Sequence, residues 1–389
     1  MDRVQIPAQE YKERALRAAD LMRERGLDAL IVNGNEADYA NTRYFSGFWP
    51  VFERCGVAIN PAGDTALMVG PESDIYAADF GKIDDVFVLA EYRESADPSY
   101  PHLQLQTYRD VLGHLGVSGE KLRIGVASIL DTNVVMWQGL QAAYPEAELV
   151  DARDIMVALR SVKSDNEIAC LREAARITHI ATQEVIKALR PGVTELQMVG
   201  IAQKTIYEHG AEYEGLPMYV FSQKSTKHAI SRSSHREIKL GDIVQLNLSA
   251  KVDGYSPSIG MPISLGPLEG EKREIVEFIL EMHRWTEAQL RPGRISGEIA
   301  REFEAKFAEA GKQSAYLYGP CHGLGLIEVE APWMETNSTY ELVRNMTFQI
   351  DTFGMGSDFG VRWEKPIAIT EDGVDLLSPQ IGDIVELSF

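Results

Sequence analysis

The first 150 residues alternate between helix-like and strand-like patterns of hydrophobic positions. Residues 10–26 place apolar side chains at helical spacing and end at Gly26, and the apolar run over 27–34 is typical of a buried strand. Two further short apolar runs, separated by a Pro-Ala-Gly-Asp turn at 61–64, indicate a hairpin. Because helix and strand patterns continue to alternate up to residue 150, we predict a compact α/β domain for this part of the chain.

A helix-start signal separates this domain from the rest of the chain. Ser164 and Glu167 have the spacing of a capping box, in which Ser caps the helix N-terminus and Glu bonds back to it. The helical pattern that begins there runs to Leu189 and is followed by a Pro-Gly pair. Since 389 residues are too many for one ordinary core, we predict two domains, over residues 1–160 and 161–389.

The second half of the sequence contains a weak internal repeat. Residues 189–210 are echoed by 290–311, each with a helix end, a Pro-Gly pair and a new amphipathic helix. The strand-like segment 245–258 is echoed by 349–364. The repeat aligns four polar residues in two pairs: Asn247 with Asp351, and Ser258 with Glu364. We therefore predict two half-domains around a shared central cleft that receives these side chains.

Composition and charge restrict the partners and the compartment. The net charge of −20 disfavours nucleic acid and anionic membranes as partners, because both are bound through clustered Lys and Arg. The N-terminus lacks an apolar leader, and no apolar stretch approaches the length of a membrane span. The three cysteines, Cys55, Cys170 and Cys321, lie far apart without CxxC spacing, which favours a reducing compartment. We expect a cytoplasmic protein.

Five separated segments resemble, in order and spacing, the creatinase/aminopeptidase P/methionine aminopeptidase superfamily. The segments lie at 161–177, 241–258, 321–332, 346–351 and 360–373. The N-terminal half, with the segments 10–32 and 44–49, is similar to the creatinase-type N-domain of that family. The resemblance implies an α/β N-terminal domain followed by a C-terminal pita-bread domain with an internal pseudo-twofold repeat.

The resemblance also identifies the positions of a metal site. Metallopeptidases of this family hold two divalent ions with Asp, Asp, His, Glu and Glu, and the matching residues here are Asn247, Ser258, His322, Asp351 and Glu364. Two of the anionic ligands are thus neutral, and one Glu is shortened to Asp. Because two dications need several carboxylates, we predict no paired metal site and no cofactor. The alternative is one divalent ion held by His322, Asp351 and Glu364.

Creatinases of the same family cleave a C–N bond without metal, and the resemblance implies further roles. They bind the substrate carboxylate with an Arg from the N-domain of a neighbouring subunit, and Phe52 and Arg54 fit that element. This implies a homodimer. The creatinase general-base His corresponds to Ile230, so His228, two residues earlier, is the candidate substitute. Gly260 replaces a Glu that binds guanidinium, which makes creatine a poor candidate substrate.

The residue types suit acid–base chemistry. His322 begins a Gly-rich stretch that permits close approach to a ligand, and its imidazole can move a proton. Asp351 and Glu364, if close, raise one pKa through like-charge repulsion, which suits a general acid. The alternative is a structural pair neutralised by Arg362 or Lys365. The side chains that we expect to bind substrate are Phe52, Arg54, Asn247, Tyr255, Ser258, Glu330 and Arg362. Glu330 is preferred to Glu328 because it matches the Glu of the family segment.

Our leading hypothesis is a metal-independent, creatinase-like hydrolase. It cleaves a C–N bond of a small amide, amidine or cyclic substrate that carries a carboxylate. In this hypothesis His322 or His228 moves the proton, Glu364 and Asp351 orient the scissile group, and Arg54 binds the acid. Two alternatives remain: a single-metal Xaa-Pro-type aminopeptidase, dipeptidase or lyase, and a non-catalytic protein that binds a peptide or another ligand.

Overall fold

The protein is described by a computed structural model that covers residues 3–378 and 382–389. The chain divides into two compact units, one formed by Ile6–Arg160 and one by Met1–Gln5 together with Ser161–Phe389. Each unit has its own sheet, and each is described separately below.

The N-terminal unit is built on a six-stranded mixed sheet. Its strands are β1 (Ala29–Gly34), β2 (Cys55–Ile59), β3 (Thr65–Val69), β4 (Val86–Val88), β5 (Arg123–Val126) and β6 (Glu148–Asp151). Its helices are α1 (Ala8–Glu24), α2 (Ala40–Ser46), α3 (Asp74–Phe80), α4 (Tyr108–His114), α5 (Val134–Ala143) and α6 (Arg153–Ser161). The strand order is β4-β3-β2-β1-β5-β6. The β2–β3 hairpin predicted around 61–64 is confirmed, because these two strands pair antiparallel.

The elements of the N-terminal unit follow from its local sequence. Strand β1 is buried at every position, in agreement with its uninterrupted apolar run. The helix before it ends close to Gly26, which has the left-handed φ of 62° that glycine adopts without strain. Asn60 shapes the hairpin turn by accepting hydrogen bonds from the backbone amides of Ala62 and Asp64.

The C-terminal unit combines four long helices with a larger, mostly antiparallel sheet. Its helices are α7 (Asp165–Ala188), α8 (Glu195–Glu208), α9 (Gly270–Gln289) and α10 (Ser296–Glu309). Its strands are β7 (Tyr213–Glu214), β8 (Tyr219–Ser222), β9 (Ile243–Lys251), β10 (Ser258–Leu265), β11 (Cys321–Gly323), β12 (Glu330–Met334), β13 (Thr347–Met355), β14 (Gly360–Ile369), β15 (Val374–Leu376) and β16 (Val385–Leu387). The main path of the sheet is β12-β11-β13-β14-β10-β9-β7.

The predicted repeat appears as two successions of the same elements. Helices α7 and α8 precede the antiparallel pair β9–β10, and helices α9 and α10 precede the antiparallel pair β13–β14. The capping box that opens the first half is confirmed, since Ser164 Oγ accepts from the Glu167 amide and the Glu167 carboxylate accepts from the Ser164 amide.

The long strands have one apolar and one polar face, although both faces are buried. On β9, Val244, Leu246 and Leu248 belong to the main hydrophobic core, whereas Gln245 and Asn247 point to the opposite side. Strands β13 and β14 alternate in the same manner, with Asp351 and Glu364 on their polar sides. The polar faces of the strands thus meet in the interior of the unit, and there the candidate site lies.

Candidate functional site

Strand register places Asn247, Asp351 and Glu364 close together. Asp351 lies directly opposite Glu364 in the β13–β14 pair. Gly260 on β10 is paired with Asn247 on one side and with Glu364 on the other. A Cβ atom on Gly260 would lie 2.8 Å from Glu364 Cβ and 3.0 Å from Asn247 Nδ2, so the absence of a side chain there permits this close approach. The two halves of the repeat therefore supply side chains to one place.

The guanidinium of Arg362 lies between the two carboxylates. Its Nε is 3.6 Å from Asp351 Oδ1, and its Nη1 is 3.3 Å from Glu364 Oε1. Its Nη2 donates a hydrogen bond of 2.9 Å to the carbonyl oxygen of Ala229. Burial opposes the charge on Arg362, but the carboxylates outweigh it and hold its pKa above the usual value. Lys365, the other cation considered from sequence, pairs with Glu287 instead, at 2.8 Å.

Ser258 connects two buried carboxyl groups. Its Oγ is 3.0 Å from Glu328 Oε1 and is also within hydrogen-bonding distance of Glu364 Oε2. Burial raises the pKa of Glu364 to about 7, and the negative charge of Asp351 adds to this effect. Burial, followed by the charge of Glu364, raises the pKa of Glu328 well above its usual value. Near neutral pH Glu364 is therefore partly protonated, whereas an ordinary Glu has lost its proton.

His322 is buried beside the same groups. Its Nε2 is 3.9 Å from Glu328 Oε1, and its ring lies 5.1 Å from that of Trp333. Burial lowers the pKa of the imidazole, which favours the neutral form. Its Nδ1 lies 3.0 Å from the carbonyl oxygen of Gly323, an acceptor. In the neutral ring Nδ1 thus carries the proton, and Nε2 is free to accept one. We call the group of Asn247, Ser258, His322, Glu328, Asp351, Arg362 and Glu364 the polar cluster.

Three residues proposed from sequence have partners outside the polar cluster. Glu330 forms a buried ion pair of 2.8 Å with Lys163, because an ammonium that is 1% exposed requires a counter-charge. The Tyr255 hydroxyl donates to Glu167 Oε1 at 2.7 Å. His228 is exposed, and its Nδ1 lies 3.2 Å from Ser231 Oγ. The structure thus places Glu328, and not the preferred Glu330, in hydrogen-bonding contact with Ser258.

Phe52 and Arg54 belong to the N-terminal unit. Phe52 is 79% exposed and has a left-handed φ of 58°, which is rare for an aromatic residue. The Arg54 guanidinium donates to the carbonyl oxygen of Arg93 at 3.0 Å and to Ser95 Oγ at 3.3 Å. Their role as substrate-binding residues supplied to a neighbouring subunit stays a prediction.

Two glutamines of the site were not recognised from sequence. Gln245 Nε2 donates to Asn247 Oδ1 and to the carbonyl oxygen of Arg362, both at 2.9 Å. Gln349 Nε2 donates to the carbonyl oxygen of Ser258 at 2.9 Å. The repeat contained the signal, since each Gln stands two residues before a site residue and hence on the same face of its strand.

The donor set does not fit a two-metal centre. Asn247 and Ser258 bring no charge, and the Arg362 guanidinium forms ion pairs with Asp351 and Glu364, so it supplies positive charge where an ion would lie. Over residues 3–378 and 382–389, no three His, Cys, Asp or Glu side chains are arranged to hold a metal ion. The alternative of one ion held by His322, Asp351 and Glu364 stays untested.

Comparison with known proteins identifies the family. Residues 169–371 match the metallopeptidase family M24, and residues 14–162 match the creatinase/prolidase N-terminal domain. The chain belongs to the metallopeptidase family M24. The predicted fold is thereby confirmed: an α/β creatinase-type N-terminal domain precedes an antiparallel pita-bread domain. No helix among the described residues is long and apolar enough to span a bilayer.

The similar proteins include peptidases and a creatinase, all at low identity. An uncharacterized peptidase of Bacillus subtilis, YqhT, is 25% identical over 362 residues, which cover 91% of this chain and 94% of that protein. A creatinase of a Bacillus species is 25% identical over 327 residues, 82% of this chain and 76% of that protein. The prolidase of Pyrococcus horikoshii superposes with a TM-score of 0.81 at 21% identity, over 96% of this chain and 100% of that one. Most of the similar proteins named for a substrate are Xaa-Pro dipeptidases, prolidases or aminopeptidases.

Proposed function

We propose that this M24 hydrolase cleaves a C–N bond of a small amide, amidine or cyclic substrate without a metal ion. The observation that carries the proposal is the Arg362 guanidinium between Asp351 and Glu364, beside the neutral Asn247 and Ser258. A guanidinium supplies a fixed positive charge to the carboxylates, so they need no dication as a counter-charge. The remaining groups are hydrogen-bond donors and acceptors suited to an organic substrate.

The proposed chemistry is general acid–base hydrolysis. Neutral His322 accepts a proton from water through Nε2 while the water oxygen bonds to the carbon of the scissile C–N bond. Glu364, with a pKa near the working pH, donates its proton to the departing nitrogen. One water is thus added across the bond, and the proton held by His322 returns to the carboxylate. Arg362 keeps Asp351 in place beside these groups.

The substrate acid is bound, in this proposal, by Arg54 of a second subunit in a homodimer. This part is supported by the planar guanidinium of Arg54, which matches a carboxylate, and by the exposed Phe52 two residues before it. A monomer in solution with undiminished activity would contradict this part of the proposal.

Hydrolysis assays on chelator-treated protein test the proposal. The substrates are cyclic amides and cyclic amidines that carry a carboxylate, creatine and Xaa-Pro dipeptides, with products identified by mass spectrometry. We expect turnover of a cyclic or amide substrate that is unchanged by EDTA and reduced by at least about 100-fold in Glu364→Gln. Glu386→Gln, a surface carboxylate paired with Arg273, is the control and should retain activity. Activity that requires added Mn²⁺ or Zn²⁺ would contradict the proposal.

A second candidate function is a single-metal Xaa-Pro dipeptidase or aminopeptidase. The observation that favours it is that most of the similar proteins are named as peptidases of this kind. The residues of this site favour it less. This candidate requires the Arg362 guanidinium to move away from at least one carboxylate, because an ion needs the same oxygens. Cleavage of Xaa-Pro dipeptides that EDTA abolishes and Mn²⁺ restores would establish it.

A further inference from the structure

Glu195 is a fully buried carboxylate that lies outside the polar cluster. Its Oε1 accepts hydrogen bonds from the Ser222 amide at 2.9 Å, the Ser222 hydroxyl at 2.6 Å and the Ser225 hydroxyl at 2.9 Å. Its Oε2 accepts from the Ser234 amide at 2.9 Å and the Ser234 hydroxyl at 2.7 Å. One side chain thus fixes both ends of the segment 222–234, which we call the 222–234 loop.

The middle of the 222–234 loop reaches the polar cluster. The Ala229 carbonyl oxygen accepts the hydrogen bond of 2.9 Å from Arg362 Nη2. Thr226 Oγ1 accepts from the Gly360 amide at 2.7 Å, two residues before that arginine on β14. The side chain of Ile230, next to Ala229, is 86% exposed and adds little packing. The position of the Ala229 carbonyl is therefore set by the Thr226 contact together with the ends of the loop, which Glu195 holds.

We propose that Glu195 is a positioning residue for the active site. By holding both ends of the 222–234 loop, it fixes the Ala229 carbonyl, and that carbonyl in turn orients the Arg362 guanidinium toward Asp351 and Glu364. The inference rests on the proposed function only in treating Arg362 as part of the active site. A carboxylate suits this role because all five groups that contact it are donors, and both of its oxygens accept.

Capping of α8 does not account for Glu195. Thr194 already caps that helix, since its Oγ1 accepts from the Gln197 amide and its own amide donates to the Gln197 side chain. The Glu195 side chain instead points to residues that lie 27 to 39 positions further along the chain. The Glu195 side chain therefore holds the 222–234 loop and does not cap helix α8.

Glu195→Gln separates the positioning role from general stability. Glutamine has nearly the same shape, but its amide group offers an acceptor on one side only, so the backbone amide at one end of the loop loses its partner. The loop should then open more often and release Arg362. Val185→Ala, which removes buried methyl groups of α7 in the same unit, is the control for a general loss of stability.

The readout is the rate at which phenylglyoxal, an arginine-specific reagent, modifies Arg362 in the full chain, followed by peptide mass spectrometry. We expect this rate to rise at least about tenfold in Glu195→Gln and to change less than about twofold in Val185→Ala. Arg14, buried in the N-terminal unit with its partner Glu10, should be modified at the same slow rate in all variants. Equal rates at Arg362 in the wild type and Glu195→Gln would overturn the proposal.

A milder variant covers the case in which Glu195→Gln fails to fold. Ser234→Ala removes one hydroxyl at one end of the 222–234 loop and leaves the carboxylate in place. We expect it to raise the modification rate of Arg362 by about threefold, and an unchanged rate would count against the proposal. The modification rate of Arg362 is measured without turnover, so it tests the role of Glu195 even if the hydrolase assignment is wrong.

Discussion

Replacing Arg362 by methionine should destabilise the C-terminal unit mainly at alkaline pH. The substitution keeps most of the aliphatic volume but removes the cation that lies 3.6 Å from Asp351 and 3.3 Å from Glu364. It also leaves the Ala229 carbonyl oxygen without the donor that now bonds it. Two neighbouring buried carboxylates would then have to remain charged without compensation, or take up protons.

The expected magnitude follows from the burial of the pair. Removing one partner of a buried ion pair costs about 3–5 kcal/mol, and we expect this loss of unfolding free energy at about pH 8. The folded-state pKa of Glu364, about 7, already lies above its unfolded value, so its contribution to stability is lost as the pH rises through 7. Loss of Arg362 raises that pKa further. At about pH 5.5 Glu364 is protonated and needs no counter-charge, so the loss of unfolding free energy should be smaller than at pH 8.

Urea unfolding of the wild type and Arg362→Met at these two pH values, followed by circular dichroism, measures the difference. The control is Arg362→Met combined with Asp351→Asn and Glu364→Gln, which removes the uncompensated charges and should recover most of the stability at the higher pH. A loss that is equal at both pH values, or smaller than about 1 kcal/mol at the higher one, would refute the argument that Arg362 compensates these carboxylates.

Further predictions concern other buried groups. Burial lowers the pKa of His283 to about 3. The free energy of unfolding should therefore fall by about 2 kcal/mol as the pH drops from 6.5 to 5, because the unfolded chain binds a proton that the folded protein excludes. In urea unfolding, His283→Leu should remove this pH dependence. Lys163→Met should lower the free energy of unfolding by about 3–5 kcal/mol in the same assay, because it removes the counter-charge of Glu330. Combining it with Glu330→Gln should recover most of that loss. Asn247→Asp with Ser258→Asp restores two carboxylates, so Mn²⁺ should raise the melting temperature of this double variant by more than it raises that of the wild type. No difference in the Mn²⁺ response would argue against the neutral residues as the obstacle to metal binding.

The sequence predicts the framework of the site because the relevant signals are local or periodic. The Ser164 capping box needs only side-chain and backbone groups three residues apart. The alignment of Asn247 with Asp351 rests on two similar strand segments, and strand pairing then brings both toward Glu364. A strand with alternating polar and apolar residues specifies which face each side chain occupies.

The sequence does not determine which carboxylate joins the polar cluster. Alternation applies only on a regular strand, and Glu328 lies in the irregular segment 324–329, before β12 begins at Glu330. The partner of Glu330, Lys163, lies 167 positions away, so no local pattern indicates the pair. For the same reason the contact between Arg362 and Ala229, 133 positions apart, could not be predicted.

The positive charge of the polar cluster is the guanidinium of Arg362. A dication requires several carboxylate oxygens, whereas a guanidinium is satisfied by two carboxylates and a carbonyl, as Arg362 is here. With neutral Asn247 and Ser258, the negative charge that would attract a dication is reduced. In the proposed function, the Arg362 guanidinium and the two neutral residues both make the site less suited to a dication.

Isothermal titration calorimetry of the metal-free wild-type protein with Mn²⁺ at neutral pH tests whether Arg362 or a metal ion supplies the positive charge of the site. If Arg362 provides the positive charge of the site, Mn²⁺ should bind no more tightly than a Kd of about 1 mM. Binding of one or two ions with a Kd near 1 µM, lost in Glu364→Gln, would contradict the account and favour the metallopeptidase alternative.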